Sequence, residues 1–183
     1  MLGMAAAGVA LASTGFAKPA EASTPEPQGG WNWCSACSML FYSVDSEPSY
    51  KLYCWSTGGP HVVGTTQYSL YSGGPSAISG DSYQANWNYC NACKVLYYGP
   101  NLAYSACAYN WFYNASLPHN AGTTSYDMFT AAPSGLTAQG GWNYCVNCRG
   151  LFHGSGHDAG VCVAEYAEGQ APHVPYNSSY WVA

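Results

Sequence analysis

The chain has 183 residues, of which 7% are charged and 16% are aromatic, and its formal net charge is −5. Ordinary globular proteins carry roughly a quarter charged residues. With only four Lys and Arg in all, the chain lacks the basic patch needed to bind nucleic acid or anionic membranes. Its uncharged polar residues instead suit neutral ligands, glycans or self-assembly.

The first predicted element is a signal peptide at residues 1–22. Residues 2–16 are apolar and small, and Ala20-Glu21-Ala22 matches the small-x-small pattern of a signal-peptidase site. The apolar stretch is shorter than the ~20 residues that span a membrane. We therefore expect a secreted, extracellular protein with no membrane span in the mature chain, which begins with a leader at 23–27.

A segment then occurs three times, at 28–76, 84–133 and 139–183. Each copy opens with Gln-x-x-Trp-x-x-Cys-x-x-Cys, and the first cysteine recurs at intervals of 56 and 55 residues. Self-similarity at a fixed period is the signature of a repeat architecture. The unit to be explained is therefore about 55 residues long and present in triplicate.

Each repeat is predicted to be β-structure. A short apolar run follows each cysteine pair, at 39–42, 95–98 and 150–153, and an aromatic segment closes each repeat, at 67–71, 125–129 and 179–182. Short alternating apolar stretches bounded by turn residues are typical of strands, and no window shows a sustained helical stripe. We predict an all-β fold of three homologous repeats that pack about a pseudo-threefold axis or stand as beads; the short connectors favour packing.

A β unit of this size cannot bury enough surface to fold alone and needs a staple. Three thiolates and one imidazole form a closed tetrahedral zinc shell. Each repeat supplies this set through its cysteine pair, a third cysteine and a Pro-His histidine. The predicted ligands of three structural Zn²⁺ ions are Cys34, Cys37, Cys54 and His61; Cys90, Cys93, Cys107 and His119; and Cys145, Cys148, Cys162 and His173.

Two alternatives to zinc stay open. Export favours disulfides, but nine cysteines are an odd number, so any such scheme leaves an orphan thiol. Iron or another metal is the second alternative. In the third repeat, His157-Asp158 is an alternative source for the ligand assigned to His173.

The same ligand sets argue against an enzyme. Catalytic zinc keeps an open coordination position, and four protein ligands leave none. No carboxylate recurs in register as a general base, and no nucleophile or phosphate-loop motif is present. Lys94 and Arg149, which directly follow a cysteine pair, suggest compensation of the negative charge of a zinc–thiolate centre.

Aromatic and amide residues shared by the three repeats have different predicted roles from the aromatic residues that the repeats do not share. Trp31, Trp87 and Trp142 are assigned to the core, and the Gln and Asn series beside them (Gln28 and Asn32 in repeat 1) to hydrogen bonds with sugar hydroxyls or with the knuckle backbone. The aromatic residues outside the shared frame are the predicted ligand contacts: Trp55, Trp111, Tyr113 and Trp181.

The unit Trp-x-x-Cys-x-x-Cys-x-x-Leu-[Phe/Tyr] with a later Cys and His resembles the tandem zinc-knuckle or zinc-ribbon-like repeats of secreted bacterial proteins. The resemblance covers all three repeats and implies no particular activity. The Gln-x-x-Trp start is similar to the Gln-x-Trp of ricin-type lectins, with one residue more. That similarity implies only a pseudo-threefold architecture and assigns no sugar-binding residue.

We therefore expect a secreted, non-catalytic recognition protein that binds glycans or a cell-surface ligand through three repeats. The rival expectation is a structural or adaptor subunit of an extracellular assembly, since low charge and many tyrosines favour self-association.

Overall fold

The computed structural model describes residues 27–43, 53–72, 81–114, 118–154, 159–164 and 171–183. The signal peptide predicted at 1–22, leader residues 23–26 and the His157-Asp158 pair lie outside the described residues. The described residues are mostly β-strand, which confirms the predicted fold class.

The strands follow one pattern in each repeat, a long strand, a short strand and a long closing strand. Their bounds are β1 (Pro27–Cys34), β2 (Leu40–Tyr42), β3 (Tyr53–Cys54), β4 (Gly59–Pro60), β5 (Val63–Ser72), β6 (Tyr83–Cys90), β7 (Leu96–Tyr98), β8 (Ala121–Phe129), β9 (Gln139–Cys145), β10 (Leu151–His153) and β11 (Pro175–Val182). The long opening strand lies between the other two and pairs antiparallel with both, as in β2–β1–β5, β7–β6–β8 and β10–β9–β11.

A bulge in each opening strand turns its tryptophan inward. The residues before the tryptophans, Gly30, Asn86 and Gly141, have left-handed φ of 87°, 71° and 83°, and the register shifts at this point in all three repeats. The asparagine after each tryptophan donates back to the carbonyl of the bulge residue, as Asn32 Nδ2 does to Gly30 at 3.1 Å. A bulge with a residue in the left-handed region re-aims the side chains that follow it.

The three repeats contact one another in cyclic order. Tyr42 donates its backbone N–H to Lys94 at 2.9 Å, Tyr98 to Arg149 at 3.0 Å, and His153 to Ser38 at 2.9 Å. Strand β8 also pairs with β5 and with β11. The repeats are therefore packed rather than strung as beads, while a true pseudo-threefold axis stays a prediction.

Side chains alternate between two cores. One is aromatic and contains Trp31, Trp87 and Trp142, each fully buried, as the core assignment predicts. Each indole meets a tyrosine of the next repeat edge-on, with ring centroids 5.1–5.2 Å apart: Trp31 with Tyr126, Trp87 with Tyr180 and Trp142 with Tyr68. Edge-to-face pairs add ~0.5–1.5 kcal/mol beyond the burial of area. The other core contains all nine cysteines.

Repeat 2 departs from the predicted all-strand pattern. A 3₁₀ helix spans Gly99–Tyr104, and a short helix, α1, spans Ala108–Asn114 (AYNWFYN). The sequence of α1 has aromatic residues on several faces and thus no 3.6-residue stripe, so periodicity cannot reveal it. No helix in the described part of the chain is long and apolar enough to cross a membrane.

Candidate metal centres

The cysteine pair of each repeat lies in one tight turn between the opening strand and the short strand. In repeat 1, Cys34 donates its N–H to Met39 at 2.9 Å and Ser38 donates to Cys34 at 2.8 Å; the other two repeats have the same bonds. The residue after the second cysteine is left-handed, with φ of 62° at Ser38, 63° at Lys94 and 67° at Arg149. This turn directs two sulfurs to one side of the backbone.

The other two ligands come from the segment between the short strand and the closing strand. In repeat 1, the β3–β4 hairpin pairs Cys54 with Gly59 and brings His61 back over the turn. In repeat 2, Cys107 directly precedes α1, and in repeat 3 Cys162 lies in the described segment 159–164. The connecting structure thus differs between repeats, whereas the end points coincide.

The structure brings the twelve predicted ligands together as three groups of four. Within each group the four donor atoms lie within 4.8 Å of one another, and all twelve residues are buried. The first and third cysteine sulfurs are 3.7–3.8 Å apart. The second cysteine sulfur lies 3.4–3.5 Å from Nδ1 of the histidine.

These distances fit a tetrahedral zinc ion. Zn–S bonds of ~2.3 Å and Zn–N bonds of ~2.05 Å place two sulfurs about 3.8 Å apart, and a sulfur and a nitrogen about 3.5 Å apart. A disulfide requires ~2.05 Å, and all nine cysteines are free. The disulfide alternative is therefore wrong for this structure, and the three Cys3His groups are consistent with three zinc sites.

An aromatic ring orients each histidine ligand. The third residue of the apolar run stacks on the imidazole, with centroids 4.4 Å apart for Phe41 on His61, 4.6 Å for Tyr97 on His119 and 4.8 Å for Phe152 on His173, at 20–22° between planes. From the sequence, these rings are predicted only as strand residues. Each ring lies four residues after the second cysteine in every copy, and this recurrence is the signal that marks the rings as partners of the site.

The second imidazole nitrogen matters because metal-ligating histidines normally donate it to a carbonyl or carboxylate. His173 Nε2 lies 3.2 Å from the backbone oxygen of Cys37, in the cysteine turn of repeat 1. Nε2 of His61 and of His119 is buried with no hydrogen-bond partner in the described part of the chain. The third centre is therefore linked directly to the first.

Burial and mutual hydrogen bonding split the thiol pKa values within each group. Hydrogen bonds with Cys37 and Cys54 lower the pKa of Cys34, and Cys145 is lowered in the same way by Cys148 and Cys162. Burial raises the pKa of the second cysteine, as in Cys37. Binding a divalent cation at neutral pH releases the protons of the ligating thiols.

Lys94 and Arg149 lie on aromatic rings beside the turns. The Lys94 ammonium is 5.5 Å from the centroid of Tyr89, and the Arg149 guanidinium carbon is 5.9 Å from that of Tyr144. Arg149 also donates to the backbone oxygen of Tyr104 and to the hydroxyl of Tyr144. Both cations thus make cation–π contacts, and charge compensation of the metal centres stays a prediction.

Hydrogen bonds of the glutamine side chains join one repeat to another and do not go to the backbone of the cysteine turns. Tyr126 donates its hydroxyl to Gln28 Oε1 at 2.5 Å, Tyr180 donates to Gln84 at 2.5 Å, and Tyr68 donates to Gln139. Each bond joins a closing strand to the opening strand of another repeat. The prediction that the glutamines bind the knuckle backbone is therefore wrong.

The four predicted ligand contacts lie in two kinds of environment. Trp111 and Tyr113 project from α1 with 36% and 54% of their surface exposed. Trp55 is half-buried against the cysteine core. Trp181 is half-buried with its ring over Gly140, whose missing Cβ would lie 3.0 Å from the indole. The structure therefore leaves the two α1 residues as the accessible pair and does not bring all four together.

Comparisons with protein-family models, with curated proteins and with solved structures find no match for this chain. What the structure defines is a class, a protein built from three Cys3His zinc-binding β repeats.

Proposed function

We propose that the protein is a secreted, non-catalytic recognition protein, stabilised by three zinc ions, that binds glycans through the exposed aromatic residues of α1. The observation that carries the proposal is the ring cluster of this helix. Phe112 is 59% exposed beside Trp111 and Tyr113, and exposed rings of this kind stack on the apolar faces of sugars. Large exposed apolar patches mark interaction sites.

Ring contacts and hydrogen bonds hold the cluster from beneath. The Tyr53 ring lies 5.1 Å from Phe112 and 5.8 Å from Tyr113, measured between centroids. Asn110, on the buried side of α1, donates to the backbone oxygen of Pro118 at 2.6 Å and to Asn120 at 2.9 Å. Because Cys107 precedes the helix directly, the second metal centre fixes its start. A pre-ordered aromatic surface loses little conformational entropy on binding.

Closed metal centres support the non-catalytic part of the proposal. Four protein donors per group leave no position for a water or a substrate. Zinc therefore supplies folding energy, for which typical structural sites contribute ~10–16 kcal/mol.

The experiment is a binding screen against immobilised neutral oligosaccharides with matched variants. We expect Trp111→Ala and Tyr113→Ala to weaken binding by at least tenfold, since aromatic hot spots contribute ~2 kcal/mol or more. Tyr104→Ala is the control, because Tyr104 is also an exposed tyrosine of repeat 2 (74%) but lies outside α1. Equal loss in all three variants, or none, would reject the α1 surface.

The second candidate function is a structural or adaptor subunit of an extracellular assembly, which the same exposed rings favour because assembly would bury them. Sedimentation of the protein without ligand separates the two. Concentration-dependent growth in mass that Phe112→Ser abolishes indicates a subunit, and a constant monomer mass indicates the recognition protein.

A further inference from the structure

The three boundaries between repeats have equivalent residues. An aromatic residue at the end of the short strand faces one from the next repeat, with centroids 6.1 Å apart for Tyr42 and Tyr89, 6.0 Å for Tyr98 and Tyr144, and 6.4 Å for His153 and Trp33. The left-handed residue of the cysteine turn lies beside each pair. That residue is Lys94, Arg149 or Ser38, so the three boundaries share a frame and differ in charge.

The groove between repeats 2 and 3, which we call the tyrosine groove, is an open cavity of about 640 Å³. This volume is within the ~300–1,000 Å³ range of small-ligand sites. The cavity is lined by Gln84, Tyr98, Asn101, Tyr144, Arg149 and Tyr176, among others. Its walls thus combine flat rings with amide and guanidinium groups.

The polar groups of the tyrosine groove include several hydrogen-bond donors. The Tyr144 hydroxyl accepts from Asn101 at 2.7 Å and from Arg149 Nη1 at 3.2 Å, and its own hydrogen has no acceptor in the described part of the chain. Gln84 Oε1 is occupied by the Tyr180 hydroxyl, which leaves the amide N–H groups of Gln84. These donors favour an acceptor-rich ligand.

The positive charge of the groove also favours an acceptor-rich ligand. Arg149 uses its Nε hydrogen on the Tyr104 carbonyl and one Nη1 hydrogen on Tyr144, so three of its five N–H groups remain. Among the described residues the carboxylate side chains are Asp81 and Asp127, and neither lines this groove. At the boundary between repeats 1 and 2, by contrast, Lys94 is 6% exposed and lies over Tyr89. The boundary between repeats 3 and 1 has the neutral Ser38.

We propose that the tyrosine groove binds a hexuronate unit of an acidic glycan, with its carboxylate on Arg149 and the Tyr144 hydroxyl and its ring against the tyrosine walls. The guanidinium fork matches a carboxylate, and charge-assisted hydrogen bonds are about twice as strong as neutral ones. The rings favour a sugar over a simple carboxylate. The proposal rests on glycan recognition as the function and adds a second site of different chemistry from α1.

The test is isothermal titration with trigalacturonate, its methyl ester and N-acetylalanine. We expect saturable binding of trigalacturonate with a dissociation constant on the order of 0.1–1 mM, weaker in high salt. Arg149→Gln is expected to weaken it by roughly tenfold or more, and Tyr144→Phe, which keeps the ring and loses the donor, by several-fold. Lys94→Gln, the same charge change in the equivalent turn, is the control and is expected to bind as the wild type does.

Three outcomes overturn the proposal. Trigalacturonate does not saturate the protein, the methyl ester binds as tightly as trigalacturonate, or an Arg149→Gln protein that still holds three zincs binds trigalacturonate as tightly as the wild type does. Binding of N-acetylalanine as tight as that of trigalacturonate overturns the sugar assignment and indicates a peptide carboxylate. Trp111→Ala separates the two sites. Failure to bind neutral glycans would contradict only the proposal for the α1 surface. Failure of Arg149 to contribute to trigalacturonate binding would contradict only the proposal for the tyrosine groove.

Discussion

Gly160, two residues before the third cysteine of repeat 3, shows how closely the repeats approach at the metal centres. Its φ is +68°, and a Cβ built on it would lie 2.2 Å from the backbone oxygen of Cys37 and 2.4 Å from the backbone carbon of Cys37. Both obstacles are main-chain atoms of another repeat, so a rotamer change cannot relieve them. Glycine is required here for backbone geometry and for space.

Gly160→Ala is therefore expected to destabilise the protein far more than an ordinary left-handed glycine would. Gly135→Ala is the matched control, since Gly135 has φ of +72° but nothing within 4 Å of its would-be Cβ. The control should lose about 1 kcal/mol of unfolding free energy, the typical cost of a left-handed alanine. Gly160→Ala should lose more than ~3 kcal/mol, a size reserved for severe core disruption. Urea unfolding at fixed free zinc measures both, and equal losses would contradict the close approach.

The stacked ring of each centre permits a second test at a single residue. Tyr97 is fully buried, its ring lies 20° from the plane of His119, and its hydroxyl has no hydrogen-bond partner in the described part of the chain. Tyr97→Phe, which copies Phe41 and Phe152 of the other repeats, removes an unsatisfied polar group and should raise stability by ~1–3 kcal/mol. Tyr97→Leu also removes the stacking on His119 and should therefore lower the stability. Thermal unfolding of the zinc-loaded variants distinguishes them, and a destabilised Tyr97→Phe protein would argue against this account.

At the scale of elements, one buried amide links α1 to the segment that follows it. Asn110 is 4% exposed and bonds to the segment that carries His119. Asn110→Ala leaves the Pro118 carbonyl without this donor and is expected to cost ~1–3 kcal/mol. We expect it also to increase hydrogen exchange in 108–114 while zinc content stays at three. Asn101→Ala, outside α1, is the control, and unchanged exchange in 108–114 would show that the helix is held by other contacts.

The elements also show what the sequence can and cannot predict. The ligand groups were predictable because a metal needs fixed donor types, and three copies in register separate such donors from chance residues. The strands followed from alternating apolar residues. Helix α1 was missed because seven residues with rings on several faces carry no period. The tyrosine groove was missed because Tyr98 and Tyr144 belong to different repeats and meet only once the order of packing is known.

At the scale of the whole molecule, the three metal centres surround one small apolar cavity of about 30 Å³. The second cysteine and the histidine of every group line it. Hydrogen bonds run between the groups: His173 lies against the Cys37 carbonyl, and Ala106, next to Cys107, donates its N–H to the Cys148 carbonyl at 3.2 Å. The centres thus share one core, and we expect them to lose metal together rather than one at a time.

Removing one ligand set tests this coupling. Cys162→Ser should lower the zinc content from three to two and also speed the loss of the remaining two to a chelator, because the segment that closes site 3 packs on the Cys37 turn of site 1. A structural zinc typically contributes ~10–16 kcal/mol, so the partial loss of one site is large compared with a marginal total stability of ~5–15 kcal/mol.

Native mass spectrometry during chelation provides the measurement, with Ser35→Ala, an exposed change in the same turn of site 1, as control. Each repeat would hold its metal independently if two results were found together. The wild-type protein would pass through stable two-zinc and one-zinc species, and the other sites of the Cys162→Ser protein would lose zinc at the wild-type rate. Direct passage from three zincs to none, with simultaneous loss of tryptophan burial, would show that the shared cysteine core makes the three repeats one folding unit.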